Sequence, residues 1–157
     1  MSIERVKSWL KQWGMDTGVR EFTESSATVD LAAKAVGVIP ARIAKTLSFH
    51  SKEGCILVVA AGDARINSGK FKSAFGLKSK MLTPEEALDF TGYAVGGVCP
   101  FGHDDPRVSV YLDVSLKRFN TVFPACGSSH SAVEMSCEQL FLCSGAHNWV
   151  DVCGGWE

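Results

Sequence analysis

The segment Gly96-Gly97-Val98-Cys99-Pro100-Phe101-Gly102 puts three glycines and a proline into seven residues. Glycine lets the backbone approach a ligand closely, and exposed N–H groups in such a turn can receive a carboxylate, a phosphate or a developing oxyanion. The same composition also builds an ordinary structural turn. Lys45 is the second residue of chemical interest. In Ile43-Ala-Lys-Thr-Leu-Ser-Phe49 it shares strand parity with Ile43, Leu47 and Phe49, so its side chain belongs to an apolar face. Lysine is rarely buried without a partner, so Lys45 either snorkels at the strand end or lines a pocket. Cys99 with His103 or His130 could form a thiol–imidazole pair, although a cysteine in a glycine-rich loop is more often passive. The spacings Cys99-x-x-x-His103 and Cys126-x-x-x-His130 lack the tight pairing of a structural zinc site, and no metal is expected. There is no G-x-S-x-G, H-E-x-x-H or P-loop signature.

The elements that must position these residues can be read from periodicity. Ser2 to Trp13 has Ile3, Val6, Trp9, Leu10 and Trp13 at helical spacing, and Gly14 stops it. The two tryptophans read as core or helix-docking anchors. Val19 to Phe22 is a short strand. Thr28 caps a helix that ends at Gly37. Ile43 to His50 reads as a strand, Ser51 to Gly54 as a turn, and Cys55 to Ala61 as the antiparallel return. Asn67 to Phe75 is a helix closed by Gly76, and Thr83-Pro84-Glu85-Glu86 opens another. Strands are expected at Val108 to Asp113, Asn120 to Cys126, Val133 to Met135 and Trp149 to Val152, and a helix over Ser136 to Leu142. The clearest strand pair is a hairpin and not a βαβ unit. This predicts an α+β fold with a mixed, mostly antiparallel sheet curled toward a barrel and flanked by helices, in a single domain over residues 1–157.

Composition narrows the function classes. The chain has 157 residues, 46% of them hydrophobic and 21% charged, which excludes a disordered chain. No apolar run approaches the ~20 residues of a membrane helix. The N-terminus lacks the basic-then-apolar order of a signal peptide, so a cytoplasmic protein with no membrane partner is expected. Sixteen Lys and Arg against 17 Asp and Glu argue against a global electrostatic grip on nucleic acid, and no DNA partner is expected. Locally, Ala64 to Lys80 carries Arg65, Lys70, Lys72, Lys78 and Lys80 and no acid. That stretch is either a solvated face or a contact for a few phosphates. Of the six cysteines, Cys55 and Cys143 read as small core hydrophobes.

Three segments together carry a family resemblance: Arg42-Ile-Ala-Lys45-Thr-Leu, Cys55-Ile-Leu-Val-Val-Ala-Ala-Gly62-Asp63 and the Gly96 to Gly102 loop. They resemble the YbaK/ProX-type aminoacyl-tRNA deacylases, which are similar to the editing domain inserted in many bacterial prolyl-tRNA synthetases. The likeness covers nearly the whole chain. It implies a freestanding trans-editing hydrolase that cleaves a wrong amino acid, commonly alanine or cysteine, from the proline tRNA. It implies no cofactor, the acceptor end of aminoacyl-tRNA as substrate and a prolyl-tRNA synthetase as a further partner. By resemblance Lys45 is the family's key lysine, Gly96 and Gly97 present backbone donors to the ester carbonyl, and His130 is a further active-site residue. Thr46, Val98, Cys99, Pro100, Phe101 and Gly102 would shape the substrate pocket, and Arg65, Lys70, Lys72, Lys78 and Lys80 would meet tRNA. Thr46 and Cys99 leave the amino-acid specificity open. An activated ester needs a positioned water and charge stabilisation at its carbonyl oxygen, so the absence of a triad is consistent. The alternatives are a cysteine hydrolase using Cys99 with a histidine, and a non-catalytic relative that binds tRNA or an amino acid.

Overall fold

The computed structural model describes residues 2–157. Five helices, α1 (Ser2–Leu10), α2 (Val29–Val36), α3 (Ser68–Phe75), α4 (Pro84–Thr91) and α5 (Cys137–Ser144), alternate with short and long strands. The strands are β1 (Arg20–Glu21), β2 (Ile43–His50), β3 (Cys55–Ala61), β4 (Arg65–Ile66), β5 (Val108–Asp113), β6 (Thr121–Pro124), β7 (Ser131–Ala132), β8 (Met135–Ser136), β9 (Asn148–Val150) and β10 (Cys153–Gly154). A six-stranded curled sheet in the order β8-β6-β2-β3-β5-β9 forms the centre, and β1-β7 and β10-β4 are separate antiparallel pairs. The fold is α+β, as the sequence predicts.

β2 and β3 form the expected hairpin, with Lys45 opposite Ala60. β3 is buried at every position because strands and helices cover both its faces. Each fully buried Val, Leu or Ile there contributes roughly 1.5–3 kcal/mol of transfer free energy. The sheet is mixed, but its antiparallel share is smaller than expected. Within it β2-β3 and β6-β8 are antiparallel, whereas β2-β6, β3-β5 and β5-β9 are parallel. Helices α3 and α4 carry the chain from β3 to β5, and such a connection returns it in the same direction. Antiparallel pairs are the majority only when the two small pairs are counted.

The helix starts follow their caps. Thr28 Oγ1 accepts from the Leu31 N–H, and Thr83 with Glu86 and Ser136 with Gln139 form capping boxes. The first helix is shorter than its periodicity suggests: α1 stops at Leu10 and Lys11–Trp13 tightens into a 3-10 turn before Gly14. Trp9 docks α1 on α5 by donating Nε1–H to the Cys143 carbonyl at 2.7 Å, and it packs edge-on against Trp13. The strand expected over Val133 to Met135 is split. Ser131–Ala132 pairs with β1 and Met135–Ser136 with β6, so the segment changes partner at Val133.

Candidate active site

A cavity of about 400 Å³ opens between β2, α2 and the start of α4. Its floor is β2 from Ile43 to Ser48, which contributes every residue of that run. Thr28, the cap of α2, with Val29 and Ala32 of that helix forms one wall, and Leu82, Pro84 and Ala87 form the other. Gly96 and Val98 close one side, and Phe123, Ala125, Ser131 and Ala132 another. The rim is apolar and exposed: Met81 is 55% and Val95 68% accessible.

Lys45 is the only titratable side chain among the described residues that line the cavity. It is half-buried and does not snorkel free. Its ammonium donates to the Gly62 carbonyl at 3.3 Å and to the Ala64 carbonyl. Both acceptors are backbone dipoles, so they orient the charge without cancelling it. The acid that acts on it, Asp63, is held by Arg118 at 2.6 and 3.0 Å. Burial lowers the Lys45 pKa from its ordinary value, against weaker upward pulls from Cys153 and Asp63. Gly62 is required for this arrangement, because a Cβ there would run into the Pro40 carbonyl oxygen and Val29.

The glycine loop reaches the cavity through two residues only. Gly96 has a left-handed φ of +86°, and a Cβ on it would press on Ala27 and Ser129. A Cβ on Gly97 would lie 2.8 Å from the backbone of Gly127, so this glycine is needed for loop-to-loop packing and not for touching a ligand. The Gly97 N–H donates to the Ala94 carbonyl at 2.9 Å and is engaged within the turn. The N–H groups of Gly96 and Val98 make no hydrogen bond to other described residues. They are the loop's available donors beside the cavity.

The remaining predicted residues separate. Thr46 lines the cavity next to Lys45. Cys99, Pro100, Phe101 and Gly102 are buried behind the loop and do not line it. Burial pushes the Cys99 thiol up to about 12, which disfavours the thiolate a nucleophile needs. His103 Nε2 bonds to the Cys99 carbonyl at 2.7 Å, so its ring is committed to the backbone and not to the thiol. His130 is exposed, pairs with Ser129 Oγ through Nδ1 at 2.9 Å and is not among the residues that line the cavity. Among the cations, Arg65, Lys72, Lys78 and Lys80 are exposed and make no ion pair with described residues. Lys70 instead pairs with Asp151 at 3.1 Å and bonds to the Cys153 carbonyl. No three His, Cys, Asp or Glu side chains cluster as metal ligands among the described residues. Ser26, buried at the cavity edge, is a lining residue that sequence reasoning missed. It stands in a polar run with no pattern to mark it.

Comparison with known proteins places this geometry in context. The family model of the aminoacyl-tRNA editing domain matches residues 23–142. The chain is 52% identical to an uncharacterized Bacillus subtilis protein, YwhH, over the full length of both. It is 34% identical to a proline–tRNA ligase of Thermotoga maritima over 98 residues, covering 62% of this chain and 17% of the ligase. A crystal structure described as a candidate trans-editing enzyme for prolyl tRNA synthetase superposes with a TM-score of 0.87 at 33% identity, over 98% of each chain. No described helix is long and apolar enough to cross a membrane.

Proposed function

The chain belongs to the aminoacyl-tRNA editing domain family, and from that premise we propose that it is a trans-editing hydrolase acting on mischarged tRNA. The substrate is the proline tRNA carrying alanine or cysteine, bound by its 3′-aminoacyl-adenosine. A prolyl-tRNA synthetase, the enzyme that makes the mischarged product, is the partner this reading implies, and the cytoplasm is its place of action. The observation that carries the reading is the cavity's single titratable side chain, Lys45, held by backbone carbonyls among apolar walls. Such a site has no thiol, and no histidine or carboxylate base to activate one of its hydroxyls, but it offers charge and hydrogen-bond donors. An aminoacyl ester, already activated, needs only those and a positioned water.

In this mechanism the Lys45 ammonium binds the terminal nucleotide and orients the ester. The N–H groups of Gly96 and Val98 receive the carbonyl oxygen as negative charge develops on it. Water adds to the carbonyl carbon, the C–O bond to the ribose breaks, and the ribose oxygen leaves with a proton. The neighbouring ribose hydroxyl is the nearest group able to relay that proton. Discrimination between alanine or cysteine and proline falls to the cavity lining around the aminoacyl group.

A deacylation panel tests the proposal. Alanyl-, cysteinyl-, seryl- and prolyl-charged proline tRNAs are compared at one protein concentration. Faster release of alanine or cysteine than of proline is expected. Equal rates for all four, or none above the spontaneous rate, overturn it.

A further inference from the structure

Ser26 Oγ is the one buried side-chain polar atom without a hydrogen-bond partner among the described residues. Ser26 is only 7% exposed and lines the cavity. Buried hydroxyls are nearly always bonded, because an orphaned one forfeits its hydration with no return. An unpartnered hydroxyl at a ligand cavity therefore asks for its ligand.

The backbone around Ser26 is fixed while its hydroxyl is not. The Ser26 N–H donates to the Ser129 carbonyl at 2.6 Å, and the Ala27 N–H to Ser25 Oγ at 3.2 Å. The oxygen itself is shielded from solvent. Rotation of that oxygen about Cα–Cβ breaks no hydrogen bond. Of the other hydroxyls in the lining, Thr28 Oγ1 accepts from the Leu31 N–H and Ser131 Oγ accepts from Ser128 Oγ, whereas those of Thr46 and Ser48 on the floor are unbonded to described residues but, unlike Ser26 Oγ, are not sealed from solvent.

An aminoacyl ester brings an α-amino group into this cavity along with its carbonyl. That group loses water on binding and needs an acceptor. The lining contains no carboxylate, and Lys45 carries the same sign of charge. We propose that Ser26 Oγ accepts a hydrogen bond from the α-amino group of the bound aminoacyl moiety, which makes Ser26 a recognition residue for amino acids as against plain acyl groups. This inference rests on the editing reading for the identity of the ligand.

The test uses binding, so it does not depend on turnover. The probes are 3′-alanylamino-3′-deoxyadenosine, whose amide replaces the labile ester, and its 3′-propionylamino counterpart, which lacks the α-amino group. Calorimetry compares the wild-type chain with Ser26→Ala and Ser26→Thr. Ser26→Ala should weaken the alanylamino compound by about tenfold to a hundredfold, the range for a hydrogen bond to a charged group. It should leave the propionylamino compound unchanged, and Ser26→Thr should keep most of the affinity. The melting temperature of Ser26→Ala should not fall, since the deleted hydroxyl bonds nothing in the protein. Equal losses for both compounds, no loss for either, or no wild-type preference for the alanylamino compound overturns the proposal. Ser26-dependent binding by a protein that hydrolyses none of the four charged tRNAs would instead sink the hydrolytic reading and leave this one standing.

Discussion

At the scale of single residues, Lys45 is a charge oriented by two backbone carbonyls and hydrogen-bonded to no carboxylate. Lys45→Ala should lower the single-turnover deacylation rate by at least about a hundredfold, the scale of losing one preorganised stabilising group. The circular dichroism spectrum should stay native, and a native-like variant with wild-type rate removes Lys45 from the mechanism. The same residue sets a pH dependence with two signs. Its pKa in the folded protein lies below its ordinary 10.5 because burial disfavours the charge. Between the two values the unfolded chain binds more protons, so the Lys45 contribution to stability rises with pH across that window. Activity runs the other way, since the ammonium is lost as pH climbs through the folded value. The enzymatic rate, measured relative to spontaneous ester hydrolysis, should therefore fall on the alkaline side below 10.5, and Lys45→Met should show neither trend. Cys99 gives the opposite expectation. Its thiol is buried and held neutral, so Cys99→Ala should cost about 1 kcal/mol of stability in a denaturant melt while keeping the rate near wild type. A loss of ~10³-fold would revive a thiol mechanism.

At the scale of elements, the segment from α4 to Gly102 is tied at both ends by one residue of α1. Arg5 donates to the Thr91 carbonyl at 2.7 Å and to the Gly102 carbonyl at 2.5 and 3.2 Å, and its guanidinium lies 4.6 Å from the Tyr93 ring centre. Tyr93 adds a hydrogen bond to the Phe101 carbonyl at 2.7 Å. Arg5→Ala should cost about 2 kcal/mol, as expected for charged hydrogen bonds, and should lower kcat though Arg5 touches no substrate. Arg5→Lys should not rescue it, because an ammonium cannot span both carbonyls as the planar fork does. Thermal melts and kcat of both variants check this. Gly97→Val should be worse for activity than Cys99→Ala, since its Cβ would displace the Gly127 loop. Much of this scale was legible in the sequence. β2 and β3 fall where alternation and a continuous apolar run put them, because hairpin signals are local. The cap residues Thr28, Thr83 and Ser136 mark their helices for the same reason. β4 and β10 carry no such signal: two residues each, they exist only because the chain end returns to pair with Arg65–Ile66. Ser26 was invisible likewise, since its burial is decided by a hydrogen bond to Ser129, 103 positions away.

At the scale of the molecule, charge is nearly balanced, so the proposed function requires a local patch to hold tRNA. The acid-free stretch is not uniform. Lys70 is paired with Asp151, whereas Lys72, Lys78 and Lys80 are exposed and unpaired among the described residues. Lys80 also has a defined relation to the cavity. Its carbonyl accepts from the His50 N–H at 2.8 Å, and the next residue, Met81, stands on the rim. His50 lies five positions along β2 from Lys45, roughly 16 Å at the rise of a strand. A ligand with its ester beside Lys45 reaches Lys80 only if it extends well beyond one amino acid. The 3′ end of a tRNA does so; an aminoacyl-adenosine does so far less. Lys80→Glu should therefore raise KM for charged tRNA with little change in kcat, because a phosphate interaction made equally in ground and transition states is uniform binding. Turnover of a small aminoacyl-adenosine ester should be unaffected. Removing one phosphate-binding cation should also reduce the slope of log affinity against log salt by about one. Lys70→Glu should leave that slope unchanged, since its ammonium is already spent on Asp151. Steady-state kinetics across a salt series with both substrates separates these outcomes. If Lys72, Lys78 and Lys80 reversals all leave the slope and KM unaltered, the stretch is only a solvated face, and the acceptor stem must dock elsewhere.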